Sequence, residues 1–402
     1  MSSESSLPEG RPALLWEPVS VRGLTLKNRI VISPMAMYSA HDGLVDDFHL
    51  VHLGRFALGG ASLVFTEAIA IKKDGRITHG CAGLWDDRQI AALRRITDFL
   101  HRFGAAAGIQ FCHSGHKGSA QRPWHGGGAL GAADVEARKE APWNTVSVTD
   151  TPFDASWPSP AMLSAGDLDA IAADFVGAAR RAEKAGFDVI ELHCAHGYLL
   201  HSFLSPLTNT RTDGFGGDIQ GRMRFPLRVI KEVRDIWPQA KPLFVRVSSV
   251  DGVDVGWSAE DTVVFAKALR ALGVDAVDCS SGGMKLSRQQ QLVSRTPGFQ
   301  VPYAARVRRE AGIMSIAVGL IRDPDHAEDI LQAGQADLIA IGREALFDPN
   351  WAARATLRFG GEAGWAQWPE QFGWWLQRRA RQQGEKYGRL APVRAVGQSE
   401  KL

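Results

Sequence analysis

Short runs dense in Val, Ile and Leu alternate along the chain with longer stretches whose apolar residues recur at helical spacing. The first run spans 28–38 (NRIVISPMAMY), and the helical HLVHLGRFALGG follows from His49. A second run, 61–71, precedes a helix over 87–104, and a third covers 105–113 (AAAGIQFCH). A long stretch bearing Gly, Pro and Trp then occupies 114–164, before a helix over 167–186 that closes on Gly186. The remaining runs are 187–196 (FDVIELHCAH), 242–249 (PLFVRVSS), 274–283, 314–321 and 336–346. Helices are predicted after each, over 224–237, 258–273, 302–312, 324–335 and 349–360, with Ser258 as an N-cap ahead of an acidic first turn.

These runs are apolar at consecutive positions, not alternate ones, which is the signature of parallel strands buried on both faces. Eight strand–helix units in order predict a closed (β/α)8 TIM barrel, of class α/β, more readily than an open doubly wound sheet. One domain is expected over 13–360. Residues 361–402 read as a C-terminal extension holding four of the twelve tryptophans and a basic, solvated helix. That extension is expected at a subunit interface, in a homodimer or higher homo-oligomer, and both chain ends are expected to be mobile.

Composition narrows the class further. The chain has 402 residues, 45% hydrophobic and 22% charged, enough for a large core without staples. Its 46 basic and 44 acidic residues leave a net charge of +2, which gives no footing for nucleic acid or an anionic membrane. Cys81, Cys112, Cys194 and Cys279 show no CxxC or zinc-ribbon spacing, so a reducing, cytoplasmic setting is expected. The opening MSSESSLPEGRP lacks the apolar centre of a signal peptide, and no run of 18 apolar residues offers a membrane span.

Barrel enzymes carry their chemistry at the carboxyl ends of the strands. The fourth run ends in HCAHGY, which puts His193, His196 and Tyr198 there. Two imidazoles leaving a hydrophobic strand could bind a metal, with His113 or Cys194 as a further ligand. Alternatively, neutral imidazoles could donate hydrogen bonds to an oxygen that gains negative charge, with Tyr198 as proton source. Gly319 and Gly342, with Arg343, close strands seven and eight, where barrels often hold phosphate on backbone amides. Arg246 inside PLFVRVSS needs a buried partner: a bound anion, an electron-rich ring, or an acid such as Glu67 or Glu191. Gln110 is a buried amide with the same demand. HGGGALG supplies a literal GxGxxG at Gly126, Gly128 and Gly131, but it follows no strand and is not a dinucleotide fingerprint.

Taken together, NRIVISPMAMYS, GIQFCHSGHK, GFDVIELHCAHGYLLHSFLSPLTNTRTDGFGG, LFVRVS and IAIGRE resemble the old yellow enzyme family of FMN-dependent ene-reductases. The resemblance covers roughly 15–359. SAQRPW, GCAGLW and WLQR point to the thermophilic-like subgroup that includes xenobiotic reductases. It implies FMN held by Ser33, Pro34, Met35, Ala36, Ala68, Gln110, Arg246, Gly319, Gly342 and Arg343. It implies NADPH or NADH as reductant and a small-molecule α,β-unsaturated carbonyl compound as substrate. His193 and His196 would grip the carbonyl oxygen, Tyr198 would donate the proton, and Tyr38 and Trp375 would contact substrate, Trp375 from a neighbouring subunit. Two alternatives stand beside this reading: a flavin oxidoreductase for an unsaturated or dienone CoA thioester, and a metal-dependent barrel hydrolase. Two departures from the family pattern matter. Ala36 replaces a cysteine, which implies an altered flavin potential and substrate affinity. His116 replaces an arginine, which removes a phosphate-facing candidate.

Overall fold

The computed structural model describes residues 13–284, 293 and 295–387. Eight parallel strands close on themselves: β1 (Ile30–Ile32), β2 (Leu63–Ala70), β3 (Ala106–Cys112), β4 (Val189–Cys194), β5 (Leu243–Ser248), β6 (Ala276–Ser280), β7 (Met314–Ala317) and β8 (Leu338–Ile341). The closing pair is β8 with β1, in the register Ile339 to Ile30. Helices α1 (Asp47–Leu58), α2 (Arg88–Arg102), α3 (Ala165–Lys184), α4 (Ile219–Ile236), α5 (Ala259–Ala271), α6 (Val301–Ala311), α7 (Pro324–Gln332) and α8 (Trp351–Gly360) follow the strands in turn. The predicted TIM barrel is the fold.

Local sequence explains the frame. β2, β3, β4, β5 and β6 are buried at every position, as predominantly apolar parallel strands covered on both faces are. The helices start on side chains that accept the free N–H groups of the first turn. Asp46 caps α1, Ser258 caps α5 in a reciprocal box with Asp261, and Asp218 and Asp323 cap α4 and α7. Helix α3 begins at Ala165, two residues before the predicted start, because Ser164 and Asp167 form a capping box there.

Several segments differ from the sequence reading. An antiparallel hairpin, Val19–Val21 with Leu24–Leu26, precedes the barrel. Its Val21 and Leu26 join Val31, Leu63, Phe65, Val189, Phe244, Ile316 and Leu338 in one apolar cluster, which plugs the amino-terminal end. Run 336–346 is not one strand: β8 stops at Ile341, and Arg343–Phe347 turns into a short helix. Another short helix, Leu199–Leu204, follows HCAHGY. Within 114–164 lie a helix at Ala132–Arg138 and two paired two-residue strands. The Gly126–Gly131 loop leads into that helix with no strand before it. Helix Glu370–Gln383 carries the tail, while the predicted mobile ends, 1–12 and 388–402, lie outside the described residues. No helix among the described residues is long and apolar enough to cross a membrane.

Candidate active site

At the carboxyl end of the barrel a cavity of 440 Å3 opens between the ends of β1, β5, β7 and β8. Ser33, Pro34, Met35, Arg246, Gly319, Gly342 and Arg343, all predicted from sequence, line it. So do Arg322, Leu320, Phe299 and Gln300, which the sequence reading did not single out. Arg322 was legible, since it stands in VGLIRD three residues after Gly319, and it offers a third cation beside Arg246 and Arg343. Phe299 and Gln300 sit ahead of α6 without any motif.

The lining is made for a ligand approaching backbone. Gly319 has φ of +120°, and a Cβ there would meet Gln300 Oε1 at 2.8 Å, so only glycine serves. A Cβ on Gly342 would meet nothing nearer than Ser33 at 3.9 Å, so it would project into the open space. Among the residues lining this cavity, Ser33 Oγ and Arg246 Nε are buried without a protein hydrogen-bond partner. Arg246 pairs with Asp278 on β6, Nε to Oδ2 3.4 Å, and not with Glu67 or directly with Glu191. The reason is register: Arg246 is level with Asp278 on one side and His193 on the other. Glu191 instead accepts the amide of Gln110 at 2.7 Å. Burial, reinforced by Asp278, pushes the Glu191 carboxyl up to about 8, and burial raises Asp278 as well. Ala68 stands opposite Gln110, after an irregularity in the β2–β3 pairing.

Glu67 has another task. It lies 3.5 Å from His49 and accepts the backbone N–H groups of Met37 and Tyr38. That holds the loop after β1, where Tyr38 adopts a left-handed φ of +51° and its carbonyl accepts from Arg122 at 2.9 Å. Ala36 lies half-buried in the same loop.

On the other side of Arg343, a second cavity of 490 Å3 is lined by His196, Asp251, Ser280, Arg295, Phe299 and Gln300 among others. Here His193 Nε2 and His196 Nδ1 face each other at 3.3 Å, with their rings edge to face. Tyr198 packs its ring 5.1 Å from that of His193. Burial first, then the Arg246 charge at His193 and the neighbouring His193 followed by Arg246 at His196, holds both imidazoles far below the ordinary histidine range, so both are neutral. Burial raises the Tyr198 phenol, keeping its proton in place at neutral pH. Lys117, pushed down to about 8 by burial, lies over the Tyr198 ring at 5.2 Å.

Four predicted positions lie elsewhere. Trp375 is 66% exposed on helix Glu370–Gln383 and lines neither cavity. His116 is buried edge-on to Phe153, away from the cavity of Gly319 and Gly342. His113 and Cys194 do not complete a metal site: among the described residues no three His, Cys, Asp or Glu side chains gather as one.

The sequence signature of the NADH:flavin oxidoreductase / NADH oxidase family matches residues 14–359. The chain belongs to this family. NADPH dehydrogenases of Geobacillus thermodenitrificans and Bacillus subtilis are each 41% identical to it, over 86% and 87% of the chain and 95% and 96% of their own lengths. Among solved structures, morphinone reductase superposes with a TM-score of 0.70 at 22% identity, covering 87% of this chain and 91% of its own. The old yellow enzyme homologue of Zymomonas mobilis gives 0.67 at 22% identity, over 85% and 91%. A 2-naphthoyl-CoA reductase gives 0.74 at 22% identity, but the chain spans about half of that protein (52%).

The protein is thus an old yellow enzyme-type, FMN-dependent NAD(P)H oxidoreductase. Its first cavity fits the cofactor, with three arginines, a glycine-built cradle and two buried polar atoms that lack a protein hydrogen bond among its walls. Family membership also removes the metal-dependent hydrolase.

Proposed function

We propose that this oxidoreductase reduces the activated C=C bond of small α,β-unsaturated carbonyl compounds. The observation that carries the reading is the facing pair of ring nitrogens on His193 and His196, 3.3 Å apart and neutral. One oxygen can receive a hydrogen bond from both. Such donors stabilise the negative charge that grows on a carbonyl oxygen as the β carbon accepts hydride. Tyr198, protonated and packed on His193, supplies the proton for the α carbon.

Ser33, Pro34, Met35, Ala36, Ala68, Gln110, Arg246, Gly319, Gly342 and Arg343 would hold FMN, with Arg343 and Arg322 on the phosphate. Bound FMN supplies the hydride, taken from NAD(P)H in one half reaction and delivered to substrate in the other. Arg246 places a buried positive charge at the floor of the site, moderated by Asp278. Tyr38 and the loop held by Glu67 form the wall beside the substrate. Helix Glu370–Gln383 exposes Phe372, Trp374 and Trp375, which supports a second copy of the chain as its partner, with Trp375 as that copy's contribution to the site.

Purified flavoprotein should be bleached by NADPH without oxygen and reoxidised by 2-cyclohexenone, one NADPH per cyclohexanone formed. Reoxidation by oxygen but by no enone would reject the reading. Turnover confined to an unsaturated CoA thioester would replace the small enone with that substrate. Light scattering should report at least a dimer; a fully active monomer would remove Trp375 from the site.

A further inference from the structure

His196 is held at each of its polar atoms. Its backbone is in the left-handed region, with φ of +60°, a conformation a non-glycine residue keeps only when its surroundings impose it. Its N–H donates to Ser248 Oγ at 3.0 Å, and its carbonyl accepts from Lys117 Nζ at 2.8 Å. The loop after β6 presses directly on it: a Cβ on Gly283 would come within 2.1 Å of His196 Cα. The imidazole is fixed from the end of β6 itself, with Nε2 at 2.7 Å from Ser280 Oγ. Ser280 in turn accepts from the Gln300 amide at 3.0 Å, and Gln300 donates to Ser281 Oγ as well, also at 3.0 Å. Ser280 and Gln300 are each only 5% exposed.

The direction of this chain follows from donor inventory. An amide nitrogen only donates, so the Ser280 oxygen spends a lone pair on Gln300 and its single O–H is left to give. Among the described residues the one further partner of Ser280 Oγ is His196 Nε2; an Nε2–H given to the second lone pair would leave that O–H without an acceptor, so the arrangement that uses every donor makes Nε2 the bare, accepting nitrogen. A neutral imidazole carries one proton, so that proton sits on Nδ1, the atom facing His193. His193 has no such arrangement. Its Nδ1 is buried and finds no hydrogen-bond partner among the described residues.

We propose that Ser280, oriented by Gln300, is a positioning residue that fixes the tautomer of His196, making His196 the standing donor of the pair and His193 the adaptable one. With no ligand between them, His196 Nδ1–H gives its hydrogen bond to His193 Nε2. When a ligand oxygen enters, His193 turns donor by carrying its proton on Nε2, and no hydrogen bond at Nδ1 is lost in the change. The role assigned to the pair rests on the ene-reductase reading, but the tautomer does not.

Long-range 1H–15N NMR on the 15N-histidine-labelled holoenzyme tests it, the His196 signals being identified by their loss in His196→Gln. Wild type should show Nδ1 protonated and Nε2 bare. Ser280→Ala should move His196 toward the Nε2–H form, and Ser280→Thr should restore the wild-type pattern. Titration of the flavin spectrum with 4-hydroxybenzaldehyde should find about 3–10-fold weaker binding in Ser280→Ala, regained in Ser280→Thr. An Nε2–H form in wild type, or an unaltered tautomer in Ser280→Ala, would overturn the proposal. If His193→Ala and His196→Ala bind this phenol as wild type does, the oxygen-gripping reading fails while the tautomer result stands by itself.

Discussion

The two ends of the barrel are built from opposite materials. At the amino-terminal end, Phe65 and Phe244 lie 6.3 Å apart and the hairpin residues Val21 and Leu26 close over them. At the carboxyl-terminal end, β4, β5 and β6 present Glu191, His193, Arg246 and Asp278, all buried. Burial of apolar carbon is favourable and asks for no partner. Burial of these charges and imidazoles is unfavourable unless hydrogen bonds or opposite charge offset it. One end therefore supplies stability, and the other consumes part of it to hold groups in protonation states that water would not permit.

The sharpest test removes material from the first end. Phe244→Ala should cost about 3–5 kcal/mol, the usual penalty for emptying an aromatic site in a packed core. Urea unfolding measures it, and phenol affinity of the folded fraction should be unchanged. A Phe244→Ala protein of wild-type stability would show that the plug is not a stabilising element. At the other end, His193→Ala or His196→Ala should cost about 10²–10³ in the rate of enone reduction, as loss of one oxyanion donor does elsewhere. FMN should stay bound, because neither histidine lines the cavity of Gly319 and Gly342. Unfolding free energy should stay level or rise, since each variant removes a buried polar ring. Substantial destabilisation of both would mean that the pair is structural.

Not everything at the carboxyl end is chemical. The helix N-termini also lie there, and Ser258 caps α5 from outside both cavities. Ser258→Ala should cost about 1 kcal/mol and leave phenol affinity and turnover alone. A turnover defect larger than the stability loss would place α5 in the active site after all.

Sequence legibility follows the same division. The barrel could be read because its strands are dense in Val, Ile, Leu and Ala at consecutive positions, a local property. HCAHGY and the Gly319, Gly342 and Arg343 set could be read because each group follows its own strand directly. What escaped notice depends on closure. Asp278 meets Arg246, and Ser280 meets His196, only because β4, β5 and β6 lie side by side in register. Gln300 comes from yet another segment. The hairpin was missed because three-residue strands carry too few positions to show a period, and the helix Leu199–Leu204 because its six residues, His201 and Ser202 included, are buried on every side and show no amphipathic pattern. Ser164 with Asp167 was legible as a capping pair, and the predicted helix start simply fell inside it.

The smallest effect separates the two ends by pH. His113, at the end of β3, is buried, and burial pushes its imidazole down to about 4. In the unfolded chain it titrates near 6.5, so below that pH the unfolded state takes up a proton that the native state refuses. Stability is therefore lost as pH falls from about 6.5, and the loss from this group levels off below about 4. Between pH 7 and pH 6 one such histidine accounts for about 0.5–1 kcal/mol, because the unfolded group is about half protonated across that unit. His113→Asn keeps an acceptor for the Gly115 N–H that His113 Nδ1 receives at 3.1 Å, and should flatten the dependence by that amount. Phe244→Leu, at the apolar end, should lower stability equally at both pH values and leave the slope as in wild type. If His113→Asn keeps the wild-type slope, the loss between pH 7 and pH 6 belongs to the other imidazoles that burial depresses, His52, His116, His193 and His196, and not to His113.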